Sequence, residues 1–152
     1  MKKIILFRGP IHSGKTTRLQ SFIADKNCDG IIALVKNGKR YIQRIKSSEI
    51  QLLDTECDDF IQIGKHKFSR EVFDWAKKQI QESSKSKIDY LVIDEIGKLE
   101  LKDDGYEPVL SEAINYFKKY DSFNLVLVVR DSLVDAVIDK YQFNDYNIEL
   151  AD

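Results

Sequence analysis

Gly9-Pro10-Ile11-His12-Ser13-Gly14-Lys15-Thr16 spells GxxxxGK[ST], and Thr17 follows it directly. Glycines at that spacing let the backbone curl so that successive N–H groups point at phosphate oxygens, and a following helix reinforces the field with its dipole. Lys15 would then reach the β- and γ-phosphates of a nucleotide, and the Thr16 hydroxyl would ligate Mg²⁺. All nine residues, Gly9 to Thr17, are therefore candidate nucleotide contacts. A second cluster, Tyr90-Leu91-Val92-Ile93-Asp94-Glu95, closes an apolar run with two adjacent carboxylates. Beside a phosphate loop, Asp94 joins Thr16 as a candidate Mg²⁺ residue, usually acting through water, and Glu95 can polarise an attacking water. Neighbouring side chains leave a strand end in different directions, which suits that division of labour. Singly, each cluster has a bland reading, a glycine-containing surface loop or two acids that end a strand. Together in one chain they point to phosphate chemistry.

Those residues need a scaffold, and the pattern supplies one. Lys3-Ile4-Ile5-Leu6-Phe7 is short, apolar and bounded, as a buried parallel strand should be, and Lys15 to Asp25 reads as a helix with Leu19, Phe22 and Ile23 on one face. Gly30 to Val35 reads as a second strand, Asn37-Gly38 as a type I′ hairpin turn, and Tyr41 to Ile45 as the returning strand. Short strands are expected around Ile50–Leu53 and Phe60–Ile63. Ser69 is a plausible N-cap for a helix over 70–82, where Val72, Phe73, Ala76 and Ile80 share a face. Ser83 to Lys87 resembles a flexible connection to the strand that carries the acids. Pro108 suits the first turn of a helix with the stripe Val109, Leu110, Ala113, Ile114 and Phe117. Leu125 to Val129 is apolar on both faces, Leu133 to Ile138 marks a short helix, and Tyr146 to Leu150 a last strand. Strands alternating with helices predict an α/β three-layer sandwich with a mainly parallel central sheet and a β-hairpin insertion.

At 152 residues the chain reads as a single domain, large enough to bury a core without disulfides or metal. Its 43% apolar and 32% charged residues are those of a soluble globular protein. A net charge of −1 gives no indication of nucleic acid or an anionic membrane as partner. Cys28 and Cys57 fit no metal-binding spacing and read as reduced thiols. The apolar residues ahead of Arg8 are too few for a signal peptide, and no membrane-length apolar run follows, so a cytoplasmic protein is expected.

Several residues carry two readings. Asp94-Glu95-Ile96-Gly97 also fits DxxG, a γ-phosphate sensor of GTP switches, but no NKxD guanine motif occurs, and the helix before this strand implies a parallel crossover rather than a hairpin. Lys36, Lys39, Arg40, Arg44, Lys46, Lys65 and Lys67 crowd the insertion, interspersed with acids, and read mainly as a solvated mixed-charge surface. His12 and His66 are expected to be exposed rather than catalytic, and Trp75 to pack its helix, with base stacking the alternative.

Together, the phosphate loop and the run Asp94-Glu95-Ile96-Gly97-Lys98-Leu99-Glu100-Leu101 resemble the small P-loop nucleoside triphosphatases first described from thermophiles, a family that includes the human cancer-related nucleoside triphosphatase. Fainter echoes are Gly38-Lys39-Arg40-Tyr41 and Ile63-Gly64-Lys65, and they single out Arg40 and Lys65 within the basic insertion. The resemblance implies a RecA-like fold, slow Mg²⁺-dependent hydrolysis of NTP to NDP and phosphate with broad base tolerance, and catalytic roles for Lys15 and Glu95. Its strand order would place the 125–129 strand between the phosphate-loop strand and the Asp94 strand, so that Arg130 emerges at the γ-phosphate as a third catalytic candidate. Otherwise Arg130 is a surface arginine before Asp131-Ser132. This chain departs from the family in its compact segment Ala33 to Arg40, where a longer glycine- and arginine-rich stretch is usual, and in carrying arginine at 130. Two other classes use the same loop. A P-loop kinase would hand the γ-phosphate to a small acceptor, although residues 131–152 lack the arginines of a closing lid. A nucleotide-dependent module that signals without chemistry would have no need of Glu95.

Overall fold

The computed structural model describes residues 2–9 and 15–151. The chain opens with β1 (Lys3–Gly9), α1 (Lys15–Ile23) and β2 (Cys28–Lys36). Four short strands follow: β3 (Lys39–Arg44), β4 (Ile50–Leu52), β5 (Phe60–Ile63) and β6 (His66–Ser69). The chain continues through α2 (Arg70–Ser84), β7 (Tyr90–Ile96), α3 (Lys98–Leu101) and α4 (Val109–Lys119). It ends with β8 (Asn124–Arg130), α5 (Val134–Lys140) and β9 (Asn147–Ala151).

Seven of these strands form one sheet in the order β4-β3-β2-β7-β8-β1-β9. Neighbours from β2 to β9 pair in parallel, whereas β3 and β4 extend the sheet antiparallel. The alternating side chains explain why the central strands are apolar throughout. Ile4, Leu6, Leu91, Ile93, Leu125 and Leu127 face one side, where α2, α4 and α5 contribute Phe73, Ala76, Ile80, Leu110, Phe117 and Val137. Ile5, Phe7, Val92, Val126 and Val128 face the other, against Leu19 and Phe22 of α1. Helix layers cover both faces, so neither set of positions can be polar. The expected three-layer sandwich with a mainly parallel sheet is therefore present. Its core order, β9-β1-β8-β7-β2, is the RecA-like one, with β8 between the phosphate-loop strand and the Asp94 strand.

Local chemistry accounts for the element ends. Asn37 and Gly38 both take positive φ, 52° and 76°, which gives the β2–β3 hairpin its type I′ turn. Ser69 caps α2 by accepting from the Val72 N–H at 3.2 Å. Gly30 answers a close approach: a Cβ there would run into the Val92 carbonyl oxygen of β7. Beyond the hairpin, β5 and β6 form a separate two-stranded sheet, tied to the chain after β4 through the Ser69 N–H to Leu53 carbonyl bond of 2.8 Å.

Several expectations change. Ser83 and Ser84 do not begin a flexible linker; they are buried in the last turn of α2 and bond back to the Gln79 and Gln81 carbonyls at 2.7 and 2.9 Å. Pro108 takes the N-cap position, and α4 starts one residue later. The acid-bearing strand runs on to Ile96. β6 carries no strand pattern in the sequence, because Phe68 is its only large apolar side chain to be buried.

Candidate active site

The parallel strands all end on one edge of the sheet, where ligands bind in α/β folds. β1 delivers the chain there at Gly9, whose register partner on β8 is Arg130. α1 begins beyond the loop and is fastened to β1 by Arg18, whose guanidinium donates to the Arg8 carbonyl at 3.1 Å. One strand further over, β7 breaks its pairing with β8. Ile93 sits opposite Leu127 and Ile96 opposite Val129, so three steps on β7 match two on β8. Such a bulge re-aims side chains at a strand end. Asp94 is 1% exposed, and its Oδ2 accepts the Ala33 N–H of β2 at 3.0 Å. Glu95, the next residue, is exposed, and Ile96 is buried again. The two carboxylates thus have opposite environments one residue apart.

The segment after the bulge is fixed by a carboxylate that sequence reasoning did not single out. Glu100 is 3% exposed; its Oε1 accepts the Gly97 N–H at 2.8 Å and its Oε2 the Tyr106 N–H at 3.1 Å. The Tyr106 hydroxyl in turn donates to the Asp94 carbonyl at 3.0 Å, closing a ring of contacts around the strand end. Burial pushes the Glu100 carboxyl up to about 7, against the opposing pull of the two N–H donors. Burial also raises Tyr106 well above its ordinary range, so it stays a neutral donor. A signal for Glu100 was present, since a glutamate three residues after Gly97 is placed to reach back to the first N–H of a helix. Its burial was not legible.

Glu95 and Arg130 both line a cavity of about 490 Å³. The insertion contributes Arg40, Lys65, His66 and Phe68 to its lining. Arg40 and Lys65, marked out by the resemblance, therefore come together with the acid-bearing strand. His66 departs from expectation: it is half-buried and stacks on Phe68 with ring centroids 5.7 Å apart. Arg44 departs further from the solvated-surface reading. Its guanidinium grips the buried Asp29 carboxylate through contacts of 2.9 and 2.7 Å, and reaches Gln79 of α2 at 2.7 Å. Trp75 is partly buried against the core, as helix packing requires.

The remaining candidates lie at the phosphate loop. Gly9 ends β1 and Lys15 and Thr16 open α1 as backbone positions, and Thr17 is exposed on that helix. Pro10, Ile11, His12, Ser13 and Gly14 lie outside the described residues. Among the described residues no group of three or more His, Cys, Asp or Glu could hold a metal ion, and no helix is long and apolar enough to cross a membrane.

A RecA-ordered sheet, a GxxxxGKT loop between its β1 and α1, and an acidic strand end two strands away define a P-loop nucleoside triphosphatase. The NTPase family model matches residues 4–149, and the chain belongs to that family. No curated protein matches it in sequence. Among solved structures it is similar to THEP1 from the hyperthermophile Aquifex aeolicus, at a TM-score of 0.70 and 17% identity, over 100% of this chain and 89% of that one. It is also similar to a human cancer-related nucleoside triphosphatase, at a TM-score of 0.68 and 16% identity, over 100% of this chain and 88% of that one. At such identities the likeness shows the shared fold.

Proposed function

We propose that this nucleoside triphosphatase hydrolyses NTP to NDP and phosphate with Mg²⁺, and that Glu95 is the residue that activates water. The observation that carries this reading is the β7 bulge, which buries Asp94 against Ala33 while turning Glu95 into the cavity that Arg130 also lines. In this reading the phosphates are cradled by backbone N–H groups of the loop Gly9-Pro10-Ile11-His12-Ser13-Gly14, of which Pro10 has none to offer, and Thr17 follows just behind. Lys15 neutralises the β- and γ-oxygens. Asp94 and Thr16 offer hard oxygen donors, the kind Mg²⁺ prefers, and a site of one carboxylate, one hydroxyl and substrate phosphates needs no cluster of acids. When bound, Mg²⁺ supplies charge neutralisation on the phosphates. The rest falls to the chain's own side chains. Glu95 accepts a proton from the in-line water, and Arg130 stabilises charge on the γ-phosphoryl group as the bond to the leaving oxygen lengthens.

Broad base tolerance accords with the lack of an NKxD guanine motif in the chain. Unpaired thiols at Cys28 and Cys57 accord with a cytoplasmic location. Transfer to an acceptor is the second reading, favoured by the cavity itself, which is large for a single water. Phosphate release from a panel of NTPs with Mg²⁺ or EDTA tests the proposal. Acceptor-independent, Mg²⁺-dependent release from several NTPs is expected; release confined to reactions supplemented with a metabolite pool would replace the hydrolase with a kinase.

A further inference from the structure

The cavity beside Glu95 holds more recognition chemistry than water activation needs. Its volume of about 490 Å³ lies in the range of small-molecule sites. Its lining is largely apolar, with the aromatic rings of Phe68, Phe73 and Tyr106 among aliphatic side chains such as Ile42 and Leu99. Around it stand four cations, Arg40, Lys65, Lys98 and Arg130, with His66 beside them. Among the described residues none of these four side chains enters an ion pair. The Arg40 guanidinium lies 5.7 Å from the Phe68 ring centroid, while its backbone N–H is held by Asp54 at 2.6 Å. A charged head is thus set on an aromatic floor. The acids that line the cavity are Glu95 and Glu100, and both Glu100 oxygens are engaged by backbone N–H groups.

Across the edge the order runs from β1, which leads into the phosphate loop, through β8 with Arg130 and β7 with Glu95, to β2 and β3. The described residues of the cavity's lining include Arg130 of β8 and Glu95 of β7, residues of β2 and β3, and Ile63, Gly64, Lys65, His66 and Phe68 of the insertion. Val35 lines it at 67% exposure, an apolar side chain left in water at the mouth.

From this arrangement we propose that the cavity binds a second small molecule besides the nucleotide: a flat, largely apolar or aromatic compound that carries an anionic group. Its ring packs on Phe68, Phe73 and Tyr106, and its anion meets Arg40 and Lys65. The site shares Glu95 and Arg130 with the hydrolase reading, but its occupancy is measurable without nucleotide, so each claim can fail alone.

The probe is 8-anilinonaphthalene-1-sulfonate, a flat aromatic anion whose fluorescence rises in apolar surroundings, with N-phenyl-1-naphthylamine as its neutral counterpart. One saturable site per chain is expected for the sulfonate, with weaker binding of the neutral probe. Arg40→Gln with Lys65→Gln should weaken the sulfonate roughly tenfold, as loss of charge-assisted contacts implies. Val35→Glu should weaken it as well, by placing a like charge at an exposed rim where refolding of the core is not at stake. Saturating Mg²⁺ with a non-hydrolysable triphosphate should leave the probe bound. Absence of saturable binding, equal affinity for the neutral probe, or unchanged affinity in variants with native circular dichroism would overturn the proposal. Displacement of the probe by the triphosphate would also overturn it, because the cavity would then belong to the nucleotide.

Discussion

Three carboxylates at the end of β7 and in the α3 turn that follows sit in different environments. Asp94 is buried and tied to Ala33, Glu95 is exposed one residue later, and Glu100 is buried with its proton held up to about 7. The Glu100 shift is a statement about stability. Between the ordinary glutamate value of 4.5 and about 7, the folded chain keeps a proton that the unfolded chain has released. Glu100's contribution is thus fully present below 4.5 and is lost as pH rises through about 7. The loss amounts to at most roughly 3 kcal/mol. Urea unfolding at a series of pH values should show this decline, and Glu100→Gln should flatten it while lowering stability at acid pH, because an amide nitrogen cannot accept the Tyr106 N–H. An identical slope in the variant would place the titration elsewhere. At Arg130 the expectation is kinetic. Arg130→Ala should lower kcat by roughly 10²-fold with little change in triphosphate affinity, because its charge matters most as the γ-phosphoryl group departs. Equal losses in kcat and affinity would make Arg130 a ground-state phosphate ligand instead.

The elements bring these residues together through contacts that lie outside the reacting groups. The β2–β3 hairpin carries one wall of the cavity, and the Asp29–Arg44 pair clamps it at its base. Asp29 is 1% exposed, and its carboxylate also accepts the N–H groups of Gly30 and Lys46 at 2.8 and 3.1 Å. Burial alone would raise its proton affinity; Arg44 and those N–H donors outweigh it and hold the carboxyl below the usual aspartate range. Its contribution therefore persists at neutral pH and is lost as pH falls through that lowered value, opposite in sign to Glu100. Arg44→Met should cost roughly 3 kcal/mol by leaving a buried carboxylate unpaired, and the double variant Asp29→Leu, Arg44→Met should recover part of that loss. Thermal or urea melts give both numbers. A single variant as stable as the parent would show that the hairpin does not depend on the pair.

For the whole molecule, the sequence is most informative where one physical requirement acts on many neighbouring residues. β1, β7 and β8 were legible because a strand covered by helices on both faces must be apolar throughout, and α2 and α4 because their stripes keep the helical period. The Asn37-Gly38 turn was legible from two residues, since few others accept positive φ twice in succession. The Asp29–Arg44 pair was not, because the partners lie fifteen residues apart and nothing local distinguishes Arg44 from its basic neighbours. The cavity was equally hidden, being built from β2, β3, β6, β7 and β8 at once, although Glu95 of the acidic pair and Arg40, Lys65 and Arg130, which the resemblance marks, all line it. Hydrolysis in the proposed mechanism turns on Glu95. Glu95→Gln keeps the size of the side chain and removes its proton acceptor. Single-turnover hydrolysis and triphosphate Kd, measured on the same protein with Mg²⁺, should show a rate lower by roughly 10²–10⁴ with affinity kept or tightened. Hydrolysis by Glu95→Gln at the parent rate would mean that Glu95 does not activate the water.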